Sequence, residues 1–350
     1  MSGSHLRNLG SLATQPRKPT GWQATLLRVF CAAIFFVPLQ VHRIQAAPII
    51  VGVGETLSVN DPLEIDGNSS NQGTVDITQT GELVNHGTLA NHILGSLFNH
   101  GELNNTGTLD NDGWLNNYGT LDNDGWLYNL GGWLNNSGTL DNDGWLYNAG
   151  ELYNLGTLIG DGAFTQYGGE LKVDGSMTQG AIDIQGGALS GNGTISSTLS
   201  ALQIGQDASV NPGSSTGTLT VTGDMNMFGT LVVEVLDGLS FDLLNVNGAI
   251  SFSDTSLIDF ILDMSFTPVD GMELAFLNAD SLFGFDLLNF SISGLANGFG
   301  WNVNFDDVNY DLSIAFFAQG GNDVPEPATL ALLGLGLAGL GFRAKRKKLN

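Results

Sequence analysis

From Gly81 the chain repeats a six-residue unit, Gly-x-Leu-x-Asn-x. Units open at Gly81, Gly87, Gly95, Gly101, Gly107, Gly113, Gly119, Gly125, Gly132, Gly138, Gly144, Gly150 and Gly156, and the pattern fades at Gly162. Leu holds the third place in every one. Six is not a helical period, and a Gly in each unit disfavours helix by about 1 kcal/mol per residue. Leu and Asn stand two apart, so on a strand they share a face. Short strands broken by turns at this rhythm predict a β-solenoid. No unit buries its own Leu, but stacked coils bury all of them in one column. Three units, about 18 residues, would close one triangular coil, with coils about 4.8 Å apart. Gly is expected to supply positive φ at the corners, and Asn to form stacked amide ladders. Two extra residues before Gly95 and one before Gly132 should bulge at corners.

Charge is sharply partitioned. Between Ala47 and Phe342 all 35 acidic residues stand with a single basic one, Lys172, a formal −34. Nucleic acid and anionic polysaccharide both need Lys or Arg to replace their counterions, so neither suits this body as a direct ligand. Cations and neutral glycans fit it, as does plain solubility outside a cell.

Three units repeat Thr-Leu-Asp-Asn-Asp-Gly-Trp-Leu, bringing the pairs Asp110/Asp112, Asp122/Asp124 and Asp141/Asp143. Carboxylates two apart at a Gly-containing turn suit Ca²⁺, which takes six to eight oxygens. They equally suit a solvated, turn-forming face, and the later Glu of an EF-hand is missing. Trp114, Trp126, Trp133 and Trp145 occupy the second place of their units, which points outward if Leu points inward. Such stripes fit contact with a glycan or another protein, or packing between coils. His86, His92 and His100 would fall on different sides of a coil, so they do not share a metal.

Both ends read as targeting segments. Arg7, Arg17, Lys18 and Arg28 precede an apolar run from Val29 to Val41, and Gln45-Ala46-Ala47 offers small residues for cleavage. Residues 1–47 therefore read as a secretory signal peptide that passes through the Sec translocon. The one cysteine, Cys31, lies inside it. At the other end come Val324, Pro325, Glu326 and Pro327, then Ala328 to Phe342 without a charge, then Arg343, Lys345, Arg346, Lys347 and Lys348. As a helix the apolar run would reach about 22 Å, short of the roughly 30 Å hydrocarbon core, and the basic end would stay cytoplasmic. The stretch resembles the PEP-CTERM sorting signal. The resemblance implies transient residence in the inner membrane, cleavage near Pro325-Glu326-Pro327 by the peptidase exosortase, and delivery to the cell surface or exterior.

After Gly175 the hexad loosens. Pro212-Gly213, Gly217-Thr-Leu-Thr-Val-Thr-Gly223 and Asp242-Leu-Leu-Asn-Val-Asn-Gly248 resemble the repeats of autotransporter-type β-helices, which are right-handed, whereas strict hexads occur in left-handed ones. The expected architecture is all-β. It comprises a signal peptide (1–47), a parallel β-solenoid (48–215), terminal coils with a β-sandwich-like cap (216–320), and the sorting signal with its transmembrane helix (321–350). The expected role is a non-enzymatic structural or adhesive protein of the surface or extracellular matrix, with exopolysaccharide or other matrix proteins as partners. No cofactor is expected beyond the Ca²⁺ option. The alternatives are a polysaccharide lyase or hydrolase and a Ca²⁺-stiffened surface layer. Catalysis is the weaker reading, because an active site is normally a unique break in a repeat and the Asp pairs recur as if on equivalent faces.

Overall fold

The computed structural model describes residues 48–319. They form a parallel β-solenoid, and among them the only helical element is a 3-10 turn at Phe285–Leu287. Each hexad makes one four-residue strand, and three strands complete a coil. On the first face Asn68–Asn71, Thr88–Asn91, Thr108–Asn111, Trp126–Asn129, Trp145–Asn148 and Ala163–Gln166 pair in parallel. On the second, Ser96–Asn99, Trp114–Asn117, Trp133–Asn136, Glu151–Asn154 and Glu170–Val173 do the same. On the third come Glu82–Asn85, Glu102–Asn105, Thr120–Asn123, Thr139–Asn142 and Thr157–Ile159. The register places Leu over Leu, as in Leu121 over Leu140. From Leu83 to Leu158 no hexad Leu is more than 2% exposed.

Asn shares that interior. A buried amide needs partners on both its N–H₂ and its oxygen. Each corner solves this with a ladder along the axis. On the third face Asn85 Nδ2 donates to Asn105 Oδ1 (2.7 Å), Asn105 to Asn123 (2.6 Å) and Asn123 to Asn142 (2.6 Å). Parallel ladders join Asn91, Asn111, Asn129 and Asn148, and Asn99, Asn117, Asn136 and Asn154. The second amide hydrogen goes to a backbone carbonyl of the next coil, as from Asn111 to Trp133 (3.1 Å). The oxygens of Asn85 and Asn99, the first rungs of their ladders, lack a partner because Ile65 and Ile77 occupy the coil before them. Where Gly160 replaces an Asn, Gln179 reaches back a whole coil to accept from Asn142 Nδ2 (2.6 Å). The longer Gln spans the gap that a second Asn would leave.

The hexad glycines do not adopt positive φ, contrary to the sequence expectation. They are needed because neighbouring coils approach too closely at the corners. A Cβ on Gly125 would lie 2.1 Å from the carbonyl oxygen of Gly107. The insertions do bulge: Ile93, Leu94 and Leu130 are exposed. They stretch successive rungs from 18 residues to 19 or 20.

Past the hexads the strands lengthen. Ala181–Gly191 turns a corner without breaking and pairs with both Ala163–Gln166 and Glu170–Val173. Leu202–Pro212 stacks on it. Parallel coils run on to Asn289–Ser293. The hairpin Phe299–Asp306 and Asp311–Ala318 then adds antiparallel to Glu273–Phe283. Phe260, Phe276 and Trp301 meet edge-on at that end and close the core.

Two substitutions test this interior. Asn123→Ala deprives Asn105 of an acceptor and Asn142 of a donor, and should cost about 2–6 kcal/mol, since each stranded buried polar group costs about 1–3 kcal/mol. Leu121→Asp buries an unpaired charge and should prevent folding of the repeat. Thermal melts followed by circular dichroism read both; a wild-type melt for either contradicts the ladder and column.

Candidate functional site

Because the interior is uniform, chemistry is left to the outward places. The register that stacks Leu on Leu also stacks outward residues of equal type. Trp126 lies over Trp145 on the first face, and Trp114 over Trp133 on the second. The four rings are 37–46% exposed, yet they also stack on one another. Trp114 and Trp133 have centroids 5.1 Å apart at 13°, and Trp126 and Trp145 are 5.7 Å apart at 13°. Tyr128, Tyr147 and Tyr167 continue a ring column beside the first pair, at 5.2 and 5.9 Å. Tyr153 meets Trp133 edge-on at 5.5 Å. The stripes are thus both solvent-facing and part of the coil-to-coil packing. Much of each ring face is used by its neighbour, leaving edges and stack ends open.

The Asp pairs do not occupy equivalent faces, a correction to the sequence reading. Three hexads complete a coil, so Asp110 and Asp122, two hexads apart, fall on different faces, while Asp122 and Asp141, three apart, share one. Asp110 sits on the first face, opposite Ala90 and Tyr128. Asp122 and Asp141 sit directly over one another on the third, with Asp124 and Asp143 at the adjoining corner. Burial, then Asp124, Asp141 and Asp143, hold the Asp122 carboxyl above its ordinary range. Burial, then Asp143, Asp124 and Asp161, do the same for Asp141. Asp110 is raised by burial and by Asp112, against a lowering pull from His92. Among the described residues no group of three or more His, Cys, Asp or Glu is arranged to hold a metal ion. His100 stacks on Tyr118 at 4.8 Å.

Sequence reasoning passed over a cleft of about 300 Å³ on the second face, just beyond the last hexads. Its floor is a column of outward side chains, Tyr153, Lys172, Ser190 and Asn211, in successive coils. Its wall is the loop from Gly213 to Gly217. Asp242, 1% exposed, pins that wall: its carboxylate accepts from Gly217 N–H (3.0 Å) and Glu234 N–H (2.8 Å). Burial pushes Asp242 up to about 7. The available signal was Lys172, the lone cation of the body, placed where the repeat loosens.

The raised carboxyls set a pH dependence. Asp110, Asp122, Asp141 and Asp242 hold their protons more tightly folded than unfolded. Folding therefore takes up protons between the ordinary carboxylate range and neutrality, and stability rises as pH falls through that window. Exposed Asp237, Asp263 and Asp306 are lowered by hydrogen bonds, so their contribution is lost only below the ordinary range. The melting temperature should rise from pH 8 to pH 5. Asp122→Asn with Asp141→Asn should raise it at pH 8, by roughly 0.2–1 kcal/mol for the like-charge pair removed, and flatten the slope. A melt that falls on mild acidification contradicts this balance.

The sorting residues Val324–Pro327, the apolar run 328–342, the basic residues 343–348 and the leader 1–47 lie outside the described residues. Comparison with protein families finds the PEP-CTERM protein-sorting motif at residues 323–347. No curated protein matches the chain. The match falls on the same stretch that the proline-flanked Glu326, the uncharged run and the basic end single out. The chain is a parallel β-helix protein carrying a C-terminal PEP-CTERM sorting motif, which marks it for export and for processing by exosortase in transit.

Proposed function

We propose that the chain is a non-enzymatic structural or adhesive protein of the cell surface or extracellular matrix. Exosortase releases it from the inner membrane, and the solenoid then serves as a stiff spacer with adhesive stripes. The carrying observation is the pair of exposed Trp stacks on adjacent faces of a continuous parallel ladder. Stacked coils satisfy one another's backbone and amide groups, so rigidity needs no disulfide, and the body between Ala47 and Phe342 contains no cysteine. The open ring edges and stack ends supply apolar contact area to exopolysaccharide or to matrix proteins. The dense negative charge keeps rods apart and turns away polyanions. Asp pairs that recur with the hexads, stacked over one another on the third face and present again on the first, behave as parts of the repeat rather than as a unique centre.

Two measurements test the proposal. Intact mass of the protein recovered from envelope and medium should end near Pro327, without the basic tail; a full-length C-terminus held in the inner membrane contradicts release. The variant Trp114→Ala, Trp126→Ala, Trp133→Ala, Trp145→Ala should stay folded, since ring stacking contributes only about 0.5–1.5 kcal/mol per pair beyond burial. It should nonetheless be lost from the cell surface into the medium. Unchanged retention contradicts an adhesive role for the stripes.

A further inference from the structure

The cleft beside Lys172 is built differently from the rest of the surface, and the role proposed for the Trp stripes does not use it. Elsewhere outward side chains repeat from coil to coil. Here five elements converge once: the strands Glu151–Asn154, Glu170–Val173, Ala181–Gly191 and Leu202–Pro212, and the loop from Gly213. An antiparallel bridge between Gly191 and Gly213 anchors the loop at one side, and Asp242 anchors it at the other. The wall is therefore held in place before any ligand arrives.

Hydrogen-bond accounting shows what the cleft lacks. Glu170 already accepts from Ser190 Oγ (2.7 Å) and from the Tyr153 phenol (3.4 Å). Burial, then Glu170 and Glu151, push that phenol up to about 12, so it stays a donor to carboxylate. Lys172 Nζ lies 3.3 Å from Asp174. Glu234 adds a carboxylate at the rim. Asn211 Oδ1 is itself buried, so it is closed to a ligand in the cleft. The site is thus rich in acceptors, with one cation and the ring of Tyr153 beside them. A ligand that completes it must carry several O–H donors and apolar C–H faces, and must not be a polyanion.

We infer that this cleft is a binding subsite for a neutral pyranose oligosaccharide, with Glu170 and Glu234 accepting from its hydroxyls, Lys172 donating to it and Tyr153 offering a ring. A volume of about 300 Å³ stands at the small end of ligand pockets. The Trp114–Trp133 stack ends edge-on against Tyr153, so aromatic surface leads along the axis into the cleft.

The test titrates the purified full-length chain with cellohexaose, laminarihexaose, N-acetylchitohexaose and hexagalacturonate, read by calorimetry. At least one neutral hexaose should bind, and hexagalacturonate should not. Glu234→Gln removes a rim carboxylate and should weaken binding tenfold or more at an unchanged melting temperature. Glu170→Gln should weaken binding similarly. No binding of any neutral hexaose overturns the inference, as do preference for the uronate and indifference to both substitutions. Carrying only Trp126→Ala and Trp145→Ala, on the first face, the chain should keep this binding even if it loses surface retention, which separates failure of the cleft from failure of the adhesive role.

Discussion

The axial amide ladder is the interaction on which this molecule depends. Leu burial drives coils together but is indifferent to small slips, because apolar contact has no direction. A buried Asn is not indifferent. Its nitrogen must find the oxygen of the Asn one coil onward, and its own oxygen must be found by the Asn one coil back. Missing either leaves a polar group stranded in the core. Three ladders, one per corner, therefore lock register on all three faces at once. Even the single lapse in the third ladder, at Gly160, is bridged by a Gln long enough to reach Asn142.

That lock has consequences on the outside. Once register is set, each outward residue meets its equivalent from the next coil. For Trp this is favourable, and the rings stack. For Asp it is unfavourable, and Asp122 and Asp141 hold carboxyls raised by burial and by one another's neighbours. The same geometry thus creates an exposed aromatic stripe on two faces and an electrostatic cost on the third. Close approach at the corners also excludes side chains, which is why Gly recurs there without positive φ.

Where the hexads stop, the ladders run into Gln166, Gln179 and Val173 and the strands lengthen around the corners. Freed from strict repetition, the second face assembles groups that occur once: Lys172, Asn211 and the loop pinned by Asp242. The unique constellation of side chains therefore sits at the edge of the repeat. Further on, the antiparallel hairpin at Phe299–Ala318 closes the last coil.

The period of six, with Leu and Asn two apart, was enough by itself to predict a stacked β-solenoid with Leu and Asn inside and Trp outside, because side-chain alternation on a strand is a local rule. The C-terminal motif was equally legible, because sorting reads a contiguous stretch. The shared face of Asp122 and Asp141 and the separate face of Asp110 follow from counting three hexads to a coil, a count that the inter-coil pairing makes visible. The reason for the corner glycines was not legible, since the clash of Gly125 with Gly107 involves residues 18 apart in sequence. The cleft was signalled only by Lys172. Tyr153, Lys172, Ser190, Asn211 and Asp242 lie in five separate segments, and only stacking in three dimensions makes them neighbours.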